Sequence, residues 1–232
     1  NEVLIKRYRG ILLDERSKIA LLASDNRKRA AELTFKAKDV SGAARQFEAA
    51  FAQLKQAQDM ASKSKEIFES LRTGNPLGAE VEDDLFIANY AKGEVSMQTA
   101  TLARVAMEQC GIESYMDIGV SEQVRAFNAY QEALLHAQRA RQSDPWRLRY
   151  ARSVAIATMK FAKAQMERGE LDESCNLADE SVRIRRDLYR YDPVIRHQRD
   201  LGAGLYRAAV NARVLGDASH ESPTARNAAW QK

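Results

Sequence analysis

Residues 144–217 read DPWRLRYARSVAIATMKFAKAQMERGELDESCNLADESVRIRRDLYRYDPVIRHQRDLGAGLYRAAVNARVLGD, and this stretch decides the fold. The Asp-Pro pair at 144–145 returns 48 residues later at 192–193, and a long run rich in alanine and arginine follows each pair. Between the two pairs, Gly-Glu-Leu at 169–171 divides the unit into two helical segments. A two-helix unit that recurs in this way predicts an array of helical repeats, in which each unit packs on its neighbours.

The four prolines predict helix starts, because each follows a residue type that caps helices. The preceding residues are Asn75, Asp144, Asp192 and Ser222, whose side chains can accept hydrogen bonds from the free N–H groups of a first helical turn. Proline fits the first helical position because its missing N–H has no partner there. We therefore expect helices to begin at Pro76, Pro145, Pro193 and Pro223, the last of them a short helix that carries Trp230.

The composition predicts an all-α fold. The 232-residue chain is 45% hydrophobic, but alanine supplies much of this and aromatic residues make up only 7%. Runs of β-branched and aromatic residues typical of strands are absent, and glycine is sparse. The expected architecture is therefore a set of antiparallel helical hairpins, and the chain is long enough for them to bury a substantial core.

Charge and cysteine content limit the classes of partner and compartment. The 36 basic residues face 32 acidic ones, for a net charge of +4. This mixture is typical of a solvated helical surface and argues against a nucleic-acid footprint. No apolar run approaches the roughly 18 residues that a membrane helix needs. The two cysteines form no metal-binding or disulfide pattern, which favours a cytoplasmic location. Because the chain begins with Asn, we expect it to belong to a longer protein.

The N-terminal segment, residues 1–38, predicts one helix or two. Its large apolar side chains recur at helical spacing on one face. In an end cap this segment would lie on the first hairpin, whereas in a coiled coil it would pair with another chain; both interpretations stay open. The residues of the apolar face are Ile5, Tyr8, Leu12, Ile19 and Leu22.

The remaining chain divides into four segments. Residues 39–110 predict degenerate helical hairpins, with a turn at 93–95 because Gly-Glu-Val there echoes the later Gly-Glu-Leu. Residues 111–120 predict a connector loop, since their pattern is too short and irregular for a helix of the array. The clear repeats span 121–217, and 218–232 form a tail with a short capping helix.

The hairpin around residues 169–171 resembles the tetratricopeptide repeat. Phe161 and Ala162 stand at the Leu-Gly position of the family's first helix, and Gly-Glu-Leu forms its turn. The small and apolar positions of the second helix are occupied by Ser174, Ala178, Ser181 and Val182. Small residues at these positions let two antiparallel helices approach closely. The resemblance covers residues 121–217 most clearly and residues 26–110 more loosely.

The spacing departs from the family's usual unit of about 34 residues. A 48-residue unit looks like the long-helix tetratricopeptide arrays that are joined to bacterial signalling domains. The resemblance implies a right-handed solenoid and a non-catalytic interaction module, acting as a scaffold, sensor or regulatory segment of a larger signalling protein. In the family, the first helix of each pair lines a concave face that binds a peptide or partner helix. Carried over, this face would include Met159, Lys163, Met166, Tyr206, Val210 and Arg213, although Met159 and Met166 equally suit core filling.

Two other functions remain open. Six arginines form a basic cluster that could hold an acidic partner or nucleic-acid phosphates. Acidic residues nearby favour a salt-bridged, solvated surface instead. The third function is self-association through residues 1–38, which would make the chain a homo-oligomer. The arginines of the basic cluster are Arg183, Arg185, Arg186, Arg190, Arg196 and Arg199.

The sequence contains no motif that would support catalysis. Its three histidines are far apart and fit no zinc-binding spacing, and neither a nucleophile elbow nor a glycine-rich phosphate loop is present. We therefore expect no catalytic residues, no metal and no cofactor, and we expect another protein or peptide as the partner.

Overall fold

The structure is a computed structural model that describes residues 2–74 and 78–218, and these residues form an all-α fold. The predicted helix starts at Pro76 and Pro223, and the predicted capping helix with Trp230, lie outside the described residues. The helices are α1 (Glu2–Lys36), α2 (Val40–Gly74), α3 (Ala79–Cys110), α4 (Ser114–Ser143), α5 (Leu148–Glu167), α6 (Leu171–Tyr191) and α7 (Ile195–Ala218).

The chain consists of two compact units, Asn1–Ala133 and Leu134–Lys232, with the division inside α4. In the first unit α1 packs on α2 and α2 on α3, and in the second unit α5 packs on α6 and α6 on α7. Short turns join them, so neighbouring helices run antiparallel. This sequential packing of antiparallel helices gives each unit a helical-repeat-like architecture.

Helix α1 packs on α2 through a row of small residues. Gly10, Ser17, Ser24 and Ala31 recur every seven residues, and all four are buried. Ser17 Oγ donates a hydrogen bond of 3.0 Å to the carbonyl oxygen of Ala57 in α2. In return, Ser64 Oγ on α2 donates a bond of 2.9 Å to the carbonyl oxygen of Gly10. The two backbones approach closely because no large side chain separates them.

The large apolar face of α1 therefore points away from the hairpin. The exposed fractions of its five predicted members lie between 61% and 67%. Helix α1 contacts α2 and α3, and it makes this contact with its small residues and not with the predicted apolar face. A pattern of large apolar residues indicates where hydrophobic side chains gather on a helix, whereas close backbone packing selects the row of small residues. The exposed members are Ile5, Tyr8, Leu12, Ile19 and Leu22.

One carboxylate lies in this interface with incomplete hydrogen bonding. Asp14 is buried, its Oδ1 has no hydrogen-bond partner, and its Oδ2 lies 2.8 Å from Lys18 Nζ. Burial raises the pKa of the Asp14 carboxyl, and the ion pair with Lys18 opposes this shift. The folded chain therefore keeps this proton to higher pH than the unfolded chain does. As a result, the carboxyl's contribution to stability decreases as the pH rises from about the unfolded value of 3.8.

We expect Asp14→Ala to raise the free energy of unfolding by about 1 kcal/mol at pH 7, because it removes a partly unsatisfied buried carboxylate from a helix interior. The gain should shrink as the pH falls toward 4, because the raised pKa lets the wild-type carboxyl take up its proton in the fold before the unfolded chain does. Urea unfolding at both pH values measures the difference. Asp25→Ala, on the same helix but with a half-exposed side chain, controls for helix propensity. A variant less stable than wild type at pH 7 would contradict the prediction.

Helix α3 is continuous through residues 93–95, so the predicted turn there is wrong. Gly93 is buried in the middle of the helix, and a Cβ at this position would stand 2.5 Å from the ring of Tyr130 on α4. The glycine therefore permits a close approach between two helices and does not end one. Glycine followed by an acidic residue has both uses, and the local sequence does not separate them.

The connector between α3 and α4 is shorter than the predicted 111–120. Only Gly111, Ile112 and Glu113 lie outside the helices. Gly111 ends α3 in the left-handed conformation with φ 68°, and its N–H donates to the Met107 carbonyl at 2.9 Å. The following residues join α4, where Tyr115 stacks on Phe51 of α2 with ring centroids 5.0 Å apart. This long-range aromatic contact stabilises a helical start that the local pattern does not predict.

The turn and the helix starts predicted for the second unit are partly confirmed. Gly169, with φ 84°, lies in the turn between α5 and α6 as predicted. Pro145 and Pro193 precede their helices and do not occupy the first helical position, because α5 begins at Leu148 and α7 at Ile195. The N-cap of α5 is Arg147, whose side chain does not cap the helix but donates to the hydroxyl of Tyr150 at 3.2 Å. The Asp-Pro pairs thus mark the turns before the helices.

Candidate partner-binding groove

Helices α5 and α6 are held together by hydroxyl groups at the small positions of the hairpin. Ser174 Oγ donates to the Ala162 carbonyl oxygen at 2.7 Å, and Ser181 Oγ donates to the Ala155 carbonyl oxygen at 2.6 Å. Both serines are completely buried. Because a serine is small and carries its own donor, it fits between close backbones without leaving its hydroxyl unsatisfied.

Helix α7 is fixed to both helices of this hairpin. Asn211 Nδ2 donates to Ser174 Oγ on α6 at 2.8 Å. Arg152 on α5 and Asp200 on α7 form an ion pair at 2.5 Å. These two residues lie 48 positions apart and therefore occupy the same place in successive 48-residue repeats. The ion pair holds α5 and α7, the first helices of successive 48-residue repeats, beside each other.

A groove of about 380 Å³ lies between α5 and α7. Five of the six residues predicted for the concave face line it, and Arg213 is exposed on α7 without being part of the lining. Three further residues of α7 were not predicted, since the family's pattern does not single them out. The lining residues are Met159, Lys163, Met166, Ala203, Tyr206, Arg207, Val210 and Asn211.

The groove has an apolar floor and an exposed aromatic side chain. Met159 is buried in a core cluster with Ala162, Ala178 and Val182, so it both fills the core and forms the floor. Met166 and Val210 are half-buried above it. Tyr206 is 73% exposed. The two interpretations of Met159 are thus compatible, because one face of its side chain packs inward and the other borders the groove.

The charged residues of the groove are all basic. Lys163 and Arg207 line it, and none of its lining residues is acidic. Lys163 has an ion pair with Glu167 at 3.5 Å. Below the groove, burial lowers the pKa of the Arg185 guanidinium; Asp200 opposes the shift, whereas Arg207 and Arg152 add to it. The surface therefore favours ligands that combine apolar groups with negative charge.

The predicted basic cluster does not form one surface. Arg185 is buried, and its Nη1 donates to the Asp200 carbonyl oxygen at 2.5 Å. The other five arginines are exposed, on the second half of α6 and the first turns of α7. Arg190 has an acidic partner, Asp187 at 3.8 Å. Within the described part of the chain, Arg183, Arg186, Arg196 and Arg199 form no ion pair.

A second cavity, of about 300 Å³, lies between α2, α3 and α4 in the first unit. Its walls are polar, and the Oε1 of Gln58 has no hydrogen-bond partner. Burial, followed by the charge of Lys65, lowers the pKa of the Lys92 ammonium. No sequence signal marks this cavity, because three helices contribute to it at unrelated spacings. Its lining residues are Gln58, Lys92, Ser96, Arg125, Asn128, Ala129 and Glu132.

The described residues show no arrangement for metal chemistry. Over 2–74 and 78–218, no three His, Cys, Asp or Glu side chains come close enough together to hold a metal ion. Neither Cys110 nor Cys175 forms a disulfide bond. No helix in this part of the chain combines the length and apolarity required to cross a membrane.

Comparison with known proteins does not identify a family for this chain. No protein-family model matches the chain, and no curated protein matches it. Among solved structures, a de novo designed helical repeat protein aligns with 88% of this chain and 96% of its own length, at 12% sequence identity and a TM-score of 0.28. A TM-score of this size carries no argument, so the helical-repeat-like, all-α description rests on the helix packing given above.

Proposed function

We propose that this chain is a non-catalytic protein–protein interaction module, and that the α5–α7 groove binds an amphipathic peptide or partner helix with acidic flanks. The observation that carries the proposal is the convergence of five predicted concave-face residues on one groove. These residues come from two helices that are separate in sequence. A tetratricopeptide-type role as scaffold, sensor or regulatory segment of a larger cytoplasmic signalling protein belongs to the same proposal.

The side chains of the groove suit the capture of an apolar helix face. Methionine is flexible and polarizable, so Met159 and Met166 can adapt to different apolar groups. An exposed tyrosine such as Tyr206 supplies a large contact area at low entropic cost, and tyrosines are enriched among residues that dominate binding energy. A volume of about 380 Å³ lies in the range of built ligand sites. It would take one or two side chains from successive turns of a helix.

The charge of the groove selects among such helices. Lys163 and Arg207 line it, and Arg213 lies six residues beyond Arg207 on the same helix. A partner with Glu or Asp beside its apolar residues would meet these cations, whereas a basic partner would be repelled. We therefore expect binding to weaken with added salt. The effect should be largest for partners whose acidic residues contact Lys163, Arg207 or Arg213.

The test uses two synthetic amphipathic helices with leucine at matched positions, one flanked by glutamate and the other by lysine. Fluorescence anisotropy should show tighter binding of the glutamate peptide. Tyr206→Ala should weaken it about 10- to 100-fold, as expected for a central aromatic contact. Tyr191→Ala is the matched control, because Tyr191 is 78% exposed and lies outside the groove. Equal binding of both peptides, or an unchanged affinity in Tyr206→Ala, would remove the proposal.

A second candidate function is binding of an acidic partner or nucleic acid by exposed arginines. The observation that favours it is the absence of ion pairs at Arg183, Arg186, Arg196 and Arg199 among the described residues. Such binding should fall steeply with salt concentration. Arg186→Glu combined with Arg199→Glu should abolish a low-salt gel shift with single-stranded DNA while leaving peptide binding in the groove unchanged. The lack of any shift with the wild-type chain would exclude the nucleic-acid version.

A further inference from the structure

The most unusual surface of this chain is the outward face of α1. Eight large apolar side chains of this helix are between 38% and 67% exposed. Monomeric proteins seldom expose apolar patches beyond roughly 300–600 Å². We call this face the α1 seam. It consists of Ile5, Tyr8, Leu12, Ile19, Leu22 and Leu33, with Leu4 and Ile11 beside it.

We propose that the α1 seam is the interface with a second copy of this chain, and that the two copies of α1 pair as a parallel two-stranded coiled coil. This inference does not rest on the groove or its ligand. Helix α1 already packs on α2 through its small-residue face. The seam is therefore held rigid in a helix before any partner arrives, which lowers the entropic cost of association.

The spacing of the seam is that of a coiled coil. Ile5, Tyr8, Leu12, Ile19 and Leu22 alternate between two positions of a seven-residue repeat, and such a pattern meets its own copy along a common axis. The eight side chains would remove roughly 700 Å² per copy from water, close to the approximately 800 Å² per partner of a stable interface. A self-complementary seam of this size suits a two-fold dimer.

The choice of residues favours two parallel strands. The first position of the repeat holds Ile5, Leu12, Ile19 and then Asn26, with Leu33 after it. β-Branched residues at this position, here Ile5 and Ile19, favour two strands in parallel coiled coils, and a single asparagine there fixes the register, because each copy meets the other across the axis. Asn26 is exposed, so it is accessible for that contact.

The charges beside the seam also distinguish the two orientations. Arg9 and Arg16 flank it, and both are exposed. In a parallel pair, Arg9 would lie beside Leu4 of the other copy and Arg16 beside its Ile11, so these arginines would not face each other. In an antiparallel pair the two arginines would face each other twice, which is unfavourable. Glu15 and Arg29 hold the second position of the repeat and would each face their own copy in a parallel pair. Both have local partners that offset their charge, Lys18 at 2.7 Å and Asp25 at 3.0 Å.

Size-exclusion chromatography with light scattering on the full chain tests the dimer. We expect a mass of twice the 26.1 kDa of the chain, and a monomer for Ile19→Glu. Ile195→Glu is the matched control, because Ile195 is 68% exposed and Ile19 66% exposed; it should remain dimeric. Circular dichroism should show equal helix content in both variants. A monomeric wild-type chain at every loading concentration, or an Ile19→Glu variant that remains dimeric, would overturn the proposal.

Cysteine cross-linking tests the orientation. Ile5→Cys should form a disulfide-linked dimer under mild oxidation, since parallel pairing places residue 5 beside itself, and the wild-type chain should not. The combined variant Ile5→Cys/Leu22→Cys should give the same symmetric bonds, 5 to 5 and 22 to 22, by peptide mapping. Bonds between residues 5 and 22 would show antiparallel pairing and overturn the parallel arrangement.

Discussion

Tyr130→Ala is expected to lower the free energy of unfolding by about 3–5 kcal/mol, the largest effect of any substitution considered for this chain. The Tyr130 side chain is completely buried. Its hydroxyl donates to Glu94 at 2.5 Å, and its ring lies against that of Tyr90 with centroids 6.4 Å apart. Truncation would leave a cavity beside α3, remove the aromatic contact and leave the Glu94 carboxylate without this donor.

The same ring explains why residue 93 is glycine, and a double-mutant cycle measures the coupling. Gly93→Ala alone should cost about 1–3 kcal/mol, because the new Cβ would stand 2.5 Å from the Tyr130 ring. In the Tyr130→Ala background that clash is absent, and alanine should stabilise the helix by up to about 1 kcal/mol relative to glycine. The effect of Gly93→Ala should therefore change sign between the two backgrounds.

Urea unfolding of the four proteins in the cycle measures these differences. Gly202→Ala is the matched control, because Gly202 lies in helix α7 and a Cβ there would meet no atom within 4 Å. It should stabilise the chain by about 0.5–1 kcal/mol in either background. If the costs of Gly93→Ala and Tyr130→Ala simply add, the two residues are not coupled through the contact described here.

The glycine at 93 shows where sequence reasoning ends. The pair Gly-Glu occurs at 93–94 and again at 169–170. Gly169 has φ 84° and lies in a turn, whereas Gly93 lies inside α3 against a ring that is 37 residues away in sequence. Local chemistry is the same in both places, and only the tertiary contact separates them. The turn at 169 could be predicted because the hairpin on both sides of it also has small residues at matching positions.

Helix α1 illustrates a related difficulty. Its existence and its apolar face could be predicted from periodicity, but not the choice of face that packs inside the chain. The row Gly10, Ser17, Ser24 and Ala31 carries little hydrophobicity, yet it allows backbones to approach and hydroxyls to bond carbonyl oxygens across the interface. A hydrophobic pattern detects side chains whose transfer from water is favourable. It does not detect a helix face of small residues, whose contribution to stability comes from close packing.

The residues of the α5–α7 groove could be predicted from the sequence more fully than those of the polar cavity in the first unit. Its predicted residues stand 47 positions apart on the two helices, as at 159 and 206 or 163 and 210, which is close to the 48-residue unit. The resemblance could therefore place them on facing helices before any contact was known. Arg207 and Asn211 lie 48 residues after Met159 and Lys163, and they were missed because the resemblance placed the face of the second helix one residue earlier. Gln58, Lys92 and Arg125 have no such register, and only the packing of three helices brings them to one cavity.

Arg185→Ala is expected to lower the free energy of unfolding by about 2–4 kcal/mol. The side chain is buried, and its Nε lies 3.2 Å from Ser181 Oγ while its Nη1 donates to the Asp200 carbonyl at 2.5 Å. Its stem packs under Gly204, where a Cβ would stand 2.8 Å from the arginine Cδ. The substitution would therefore remove packing, one hydrogen bond within α6 and one hydrogen bond between α6 and α7.

Two further variants separate the loss of packing from the loss of hydrogen bonds. They also test whether Arg185 belongs to the α6–α7 core or to a binding surface. Arg185→Met keeps the stem, so it should cost about half as much as Arg185→Ala, because only the polar contacts are lost. Arg186→Ala should change stability by less than about 0.5 kcal/mol, since Arg186 is exposed and has no ion pair among the described residues. Urea unfolding of the three variants gives the ranking. If instead Arg185→Ala unfolded like wild type and weakened binding of a polyanion as strongly as Arg186→Ala, Arg185 would belong to a binding surface and not to the α6–α7 core.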